Sequence, residues 1–241
     1  ENAFPDEFTN EYSRDIEPMK GAFADNYFYQ LVANIRRYKG IQASPPPSPP
    51  ITIDIDGHFD AWADIRPEFR HHKGSTMHHR HRGYGKTFYE NTSGRNDFVK
   101  GKVARDTENL YFYIETADPN TAPSEPGWMT LLIDVDRDKA TGWQGYDYVI
   151  NREKPTANQA TLEQNLGGWT WTDVGSVTFR VAGNQMELCL PKTSIGLPSE
   201  AAVDIEFKWT DNVPASGEIL DFYSYGDVAP GGRFNYRYHA R

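Results

Sequence analysis

The 241 residues suffice for one large or two small domains, and a 14% aromatic content supplies rings for a substantial core. A net charge of −9 argues against a general nucleic-acid or anionic-membrane surface, since both need clustered Lys and Arg. No apolar run reaches the roughly 20 residues that span a bilayer. The single cysteine, Cys189, rules out an internal disulfide and a cysteine-built zinc site.

The first 43 residues differ from the rest. Asp25 is a good helix N-cap, and Tyr27, Phe28, Leu31, Val32 and Ile35 follow at helical spacing. Arg36, Arg37 and Lys39 suit the dipole of the last turn, and Gly40 supplies the stop. One amphipathic helix cannot hide its own apolar face, so the stripe of Leu31, Val32 and Ile35 is expected to dock on the C-terminal part of the chain. Residues 44–50, Ser44-Pro45-Pro46-Pro47-Ser48-Pro49-Pro50, read as a stiff polyproline linker.

From 51 to 241 the period switches to two. Ile51, Ile53 and Ile55 alternate with Thr52 and Asp54 before an Asp56-Gly57 turn. Residues 98–104 and 110–116 read as a hairpin, 128–135 as a central strand, and 146–151 as its successor. Residues 177–181 and 186–190 flank the tight-turn signal Gly183-Asn184, and 203–209 alternate cleanly. The prediction is a mostly β chain, a jelly-roll or immunoglobulin-like β-sandwich preceded by one helix. Long polar loops at 66–96, 118–127 and 211–233 are where such a scaffold carries function.

Asp134, Asp136 and Asp138 alternate at the end of the central strand and could converge on a hard cation such as calcium. The same pattern also suits a solvated acidic turn. The loop from His71 to His81 holds five of the seven histidines, with zinc or nickel pairings at His78 and His81 or His79 and His81. Its interspersed Arg and Lys oppose a cation, so a polar loop is the simpler reading. Trp143 sits between glycines and is expected to face outward; Trp169 shares a strand face with Trp171. Trp62, Trp128 and Trp209 are expected in the core. Indoles stack on the C–H faces of sugar rings, and Arg95, Asn96, Asp147 and Arg152 are candidates for the hydroxyls. Asn91-Thr92-Ser93 is a glycosylation sequon. Neither a Gly-x-Ser-x-Gly elbow nor a zinc-protease His pair is present.

Several stretches resemble one family. Asp54-Ile55-Asp56-Gly57-His58-Phe59-Asp60-Ala61-Trp62 resembles the opening of family 9 carbohydrate-binding modules and their DOMON-like relatives. Arg105-Asp106-Thr107-Glu108-Asn109-Leu110-Tyr111-Phe112-Tyr113 and the Pro191-Lys192-Thr193-Ser194-Ile195-Gly196-Leu197 turn resemble later landmarks, in the same order. Gly94-Arg95-Asn96-Asp97 and Thr141-Gly142-Trp143-Gln144-Gly145-Tyr146-Asp147-Tyr148 are similar to C-terminal accessory domains of bacterial glycoside hydrolases. Residues 10–18 resemble the last turn of a preceding catalytic barrel.

The resemblance implies a non-catalytic, extracellular, periplasmic or outer-surface module that binds a glycan, with calcium, beside a catalytic domain of the same chain. The alternative is a structural domain that packs on that barrel and binds no sugar. Nucleic acid and a membrane span are not expected partners.

Overall fold

The computed structural model describes residues 26–40, 45–76, 79–82 and 88–241. Asp25, residues 10–18 and His78 lie outside them. Helix α1 covers Asn26–Lys39, with Arg36, Arg37 and Lys39 in its last turn. Gly40 ends it with φ 77°, its N–H donating to Arg36 O at 2.9 Å. Of the described stripe residues, Leu31 is half-buried and Ile35 41% exposed, while Tyr38 in the last turn is 91% exposed.

The proline run is less free than a spacer. Ser48 exchanges bonds with the Arg66 backbone and accepts the Arg105 guanidinium on its carbonyl at 3.0 Å. Of the three alternating isoleucines, Ile53 is buried, Ile55 half-buried and Ile51 exposed, and the segment forms no strand. Its anchor is a side chain: buried Glu187 accepts from Gly57 N–H at 2.9 Å and from Trp62 Nε1–H at 2.8 Å. Trp62 then stacks on Tyr113 with centroids 5.3 Å apart.

Among the described residues there are thirteen strands: β1 (Glu68–Arg70), β2 (His79–Arg82), β3 (Phe88–Asn91), β4 (Phe98–Arg105), β5 (Asn109–Thr116), β6 (Thr130–Asp134), β7 (Tyr148–Ile150), β8 (Gln159–Asn165), β9 (Trp171–Ala182), β10 (Gln185–Pro191), β11 (Val203–Asp211), β12 (Asp227–Ala229) and β13 (Tyr236–Ala240). A one-turn helix, α2 (Asp221–Ser224), precedes β12. β2 and β3 pair as a separate two-stranded antiparallel sheet. The other strands make one antiparallel sheet in the order β1-β4-β5-β10-β9-β8-β7-β6-β11-β12, with β13 also on β11.

The sheet curls until its halves face each other. Phe207 of β11 packs edge-on against Phe112 of β5 at 5.4 Å and against Phe69 of β1 at 5.0 Å, although β1 and β11 are far apart along the ladder. The result is a mostly β, sandwich-like fold whose main core lies between the two halves. Trp128 and Trp209 are in that core and Trp62 is buried on the outer face of β5, so the three expected core indoles are all buried. Cys189 is half-buried beside Trp62, its thiol pushed up to about 11 by burial.

Candidate functional site

A smaller apolar cluster, with Leu132, Trp143, Val149 and Phe222 at its centre, lies outside the main core. Above it opens a cleft of about 530 Å³. Its walls come from the end of β3, the turn before β6, the residues after β11 and α2. Trp143, Trp169 and Arg152 line it together with Glu90, Glu218 and Tyr225. The fold thus brings together three of the residues picked for ligand binding, from three separate parts of the chain.

Trp143 is not exposed as expected: it retains only 5% exposure and forms the floor. The flanking glycines do make a tight turn. At Gly142 φ is 62°, and a Cβ would lie 2.2 Å from Tyr146 O. The turn folds the indole back instead of outward, because partners await it there: Nε1–H donates to Gly217 O at 3.3 Å, and Phe222 meets the ring edge-on at 5.7 Å. Trp169 is half-buried, standing 4.4 Å from Trp143 at 68°, with Nε1–H on Ala215 O at 3.0 Å. Gly217 packs flat on it, since a Cβ there would sit 2.5 Å from Trp169 Cγ. Both indoles are therefore fixed before any ligand arrives.

Arg152 makes a two-pronged pair with nearly buried Glu163, Nε to Oε2 at 3.0 Å and Nη2 to Oε1 at 2.5 Å. That pairing leaves Nη1 over and keeps the guanidinium plane in one orientation at the cleft wall. Tyr225, 39% exposed, is an aromatic contribution that sequence reasoning missed. Glu218, Phe222 and Tyr225 all fall in the long loop 211–233, where only composition was readable.

Arg95 and Asn96 do not line this cleft; both are engaged by a buried carboxylate. Arg95 Nε donates to Asp211 Oδ2 at 2.9 Å, and its Nη atoms reach Glu125 and Pro126 O. Asn96 donates to Thr121 Oγ1 and Asp211 Oδ1 and accepts from Thr121 N–H. Asp211 is fully buried and also takes the Met129 N–H, so these side chains satisfy a buried carboxylate. Burial raises the Asp211 pKa even against the Arg95 charge. The sequon asparagine, Asn91, is likewise buried and gives its amide to Gly226 O.

The acidic cluster also has different membership. Asp134, Asp136 and Asp147 offer carboxylate oxygens within 4.8 Å of one another and could hold a metal ion. Asp138 turns away: its Oδ1 accepts from Ala140 N–H and closes the local turn. Asp147 enters because β7 returns beside β6, which makes it a cluster member rather than a cleft contact. Thr141 Oγ1 lies 3.1 Å from both Asp136 oxygens. Burial raises Asp134 and Asp147. Lys139 Nζ already sits 2.8 Å from Asp134 and 2.7 Å from Glu206, so an incoming ion would have to displace this ammonium.

At the base of the histidine loop, His71 and Ser75 both contact buried Asp227 Oδ1, at 3.2 and 2.8 Å. His71 Nε2 faces the serine and the carboxylate alike, so no base is left between an orienting acid and a nucleophile; the group instead anchors the loop, Asp227 Oδ2 taking Phe98 N–H at 2.7 Å. No family model, curated protein or solved structure matches the chain.

Proposed function

We propose that the chain is a non-catalytic carbohydrate-binding-like module of a secreted glycan-degrading protein, taking a sugar ring in the cleft beside Trp169. The supporting observation is the cleft itself: an open, apolar-floored recess with a half-buried indole, an exposed tyrosine, and a pre-aligned guanidinium and carboxylates at its edge. Sugars need that combination, a flat apolar surface for C–H faces and fixed polar groups for hydroxyls. Trp143 supports the stacking surface from beneath, and Trp169 and Tyr225 offer it.

Calcium is the ion we assign to Asp134, Asp136 and Asp147. Three hard oxygens fit its preference, and the Thr141 hydroxyl and waters would complete the six to eight that it takes. Its role would be to neutralise the clustered acids and fix the turn that carries Trp143. The preceding catalytic domain is the proposed neighbour in the full-length protein, outside the cell, in the periplasm or on the outer surface.

The test is a glycan array followed by affinity electrophoresis of the wild type and Trp169→Ala. Retention by the wild type and its loss in a folded Trp169→Ala variant supports the reading. Equal retention of both, or no retention of any glycan by the wild type with and without calcium, rejects it.

A further inference from the structure

Away from the residues of that cleft, β13 alternates with period two. Tyr238 and Ala240 point into the core with at most 1% exposure, so Arg237, His239 and Arg241 form a row on the outside that carries two guanidinium charges and an imidazole. These three side chains, with Arg105 and Pro67, line a second cleft of about 600 Å³ whose opposite wall is the proline run from 45 to 47. Among the described residues, no acidic side chain lines it. Arg105 is held rigidly at its base, donating to Ser48 O, Tyr238 Oη and Arg241 O.

The nearby acids do not balance this charge. Asp204 takes Arg237 on both oxygens at 2.8 and 2.9 Å, but also faces Arg137 at 3.3 Å and His239 at 3.6 Å. One carboxylate thus serves two guanidinium groups and lies beside an imidazole. Glu206, opposite Arg237 in the ladder, is engaged by Lys139. In a chain of net charge −9, this concentrates positive charge in a walled recess.

We propose that this cleft binds an oxyanion group, a sulfate, phosphate or carboxylate, between the guanidinium groups of Arg105, Arg237 and Arg241. Planar guanidinium forks match such anions geometrically, and the rigid proline wall gives a carrier molecule an apolar surface at little entropic cost. The site is independent of the glycan cleft, and its failure would leave that reading untouched.

The experiment tracks the melting temperature of the protein in sodium sulfate against sodium chloride at equal ionic strength, with side-chain NMR of arginine and histidine. The expected result is a saturable rise in sulfate, shifts at His239 and the cleft arginines, and at least a tenfold higher half-saturation concentration in Arg241→Ala. Arg241→Ala leaves the core side of β13 unchanged. His239→Ala is the second variant, with the same direction expected. A linear, non-saturating rise is the general salt effect and overturns the proposal, as does a rise of equal midpoint in wild type and variants. Inorganic phosphate, a sulfated oligosaccharide and a uronic-acid oligosaccharide form further arms. Tighter binding of an oligosaccharide assigns the oxyanion to a sugar, tighter binding of the inorganic ions assigns it to a free anion, and no binding in any arm rejects the site.

Discussion

Trp143 stands edge-on to Trp169, ring centroids 4.4 Å apart, and the two indoles divide one task between them. The buried ring sets the position of the half-exposed one, so their replacement has different consequences. Trp143→Ala empties the floor and orphans the carbonyl of Gly217; a loss of about 3–5 kcal/mol of stability is expected. Trp169→Ala costs less stability but weakens glycan retention about tenfold or more, roughly 1.4 kcal/mol. Chemical denaturation and affinity electrophoresis of both variants check this division, and the reverse ranking would refute it.

Arg95→Met is expected to destabilise by about 3–5 kcal/mol without changing glycan retention. The reason is Asp211, left buried with its main counter-charge removed. Urea unfolding gives the magnitude, and the double variant with Asp211→Asn should recover part of the loss.

For the acidic cluster, calcium should raise the melting temperature of the wild type and of Asp138→Asn, but not of Asp147→Asn. The pH dependence has a definite sign. Burial raises Asp134 and Asp147, so without an ion the folded chain takes up protons before the unfolded chain does, and these groups favour folding more as pH falls from neutral. With the ion bound, protons compete with it, and its stabilisation shrinks as pH falls into the carboxylate range. Thermal melts at several pH values, with calcium and with EDTA, test both slopes.

Trp62→Phe keeps an aromatic ring, though a smaller one, and removes the N–H that buried Glu187 accepts. An expected cost of about 1.5–3 kcal/mol comes from losing a bond to a charged group, and segment 53–62 should loosen first. Hydrogen exchange at Gly57, whose N–H shares that carboxylate, reports it directly.

Much of the fold was legible because its signals are local. Gly183-Asn184 gives the β9–β10 hairpin, and the alternation of 203–209 gives β11. β8 was missed because Gln159–Asn165 carries few apolar residues, and β1 and β12 because three residues hold too little pattern. The site was read only in part, for a different reason. Glycines around Trp143 announce a turn but not the direction of the indole, which depends on Gly217 and Phe222 far along the chain. In the same way, Asp138 was chosen by proximity in sequence, whereas Asp147 arrives through the pairing of β6 with β7.

The position of β11 also has a kinetic consequence. It pairs with β6 on one edge and with β12 and β13 on the other, and Tyr236 donates its hydroxyl to Arg70 O of β1 at 2.9 Å. Closure of the sheet thus joins residues near 70 to residues near 236, and loop-closure entropy is spent before those contacts form. The early strands β1 and β5 lie far in sequence from the C-terminal residues Phe207 and Tyr236 that they meet. The slow step in folding is therefore expected to be the late docking of the C-terminal strands, with the hairpins of β4–β5 and β9–β10 formed well before it.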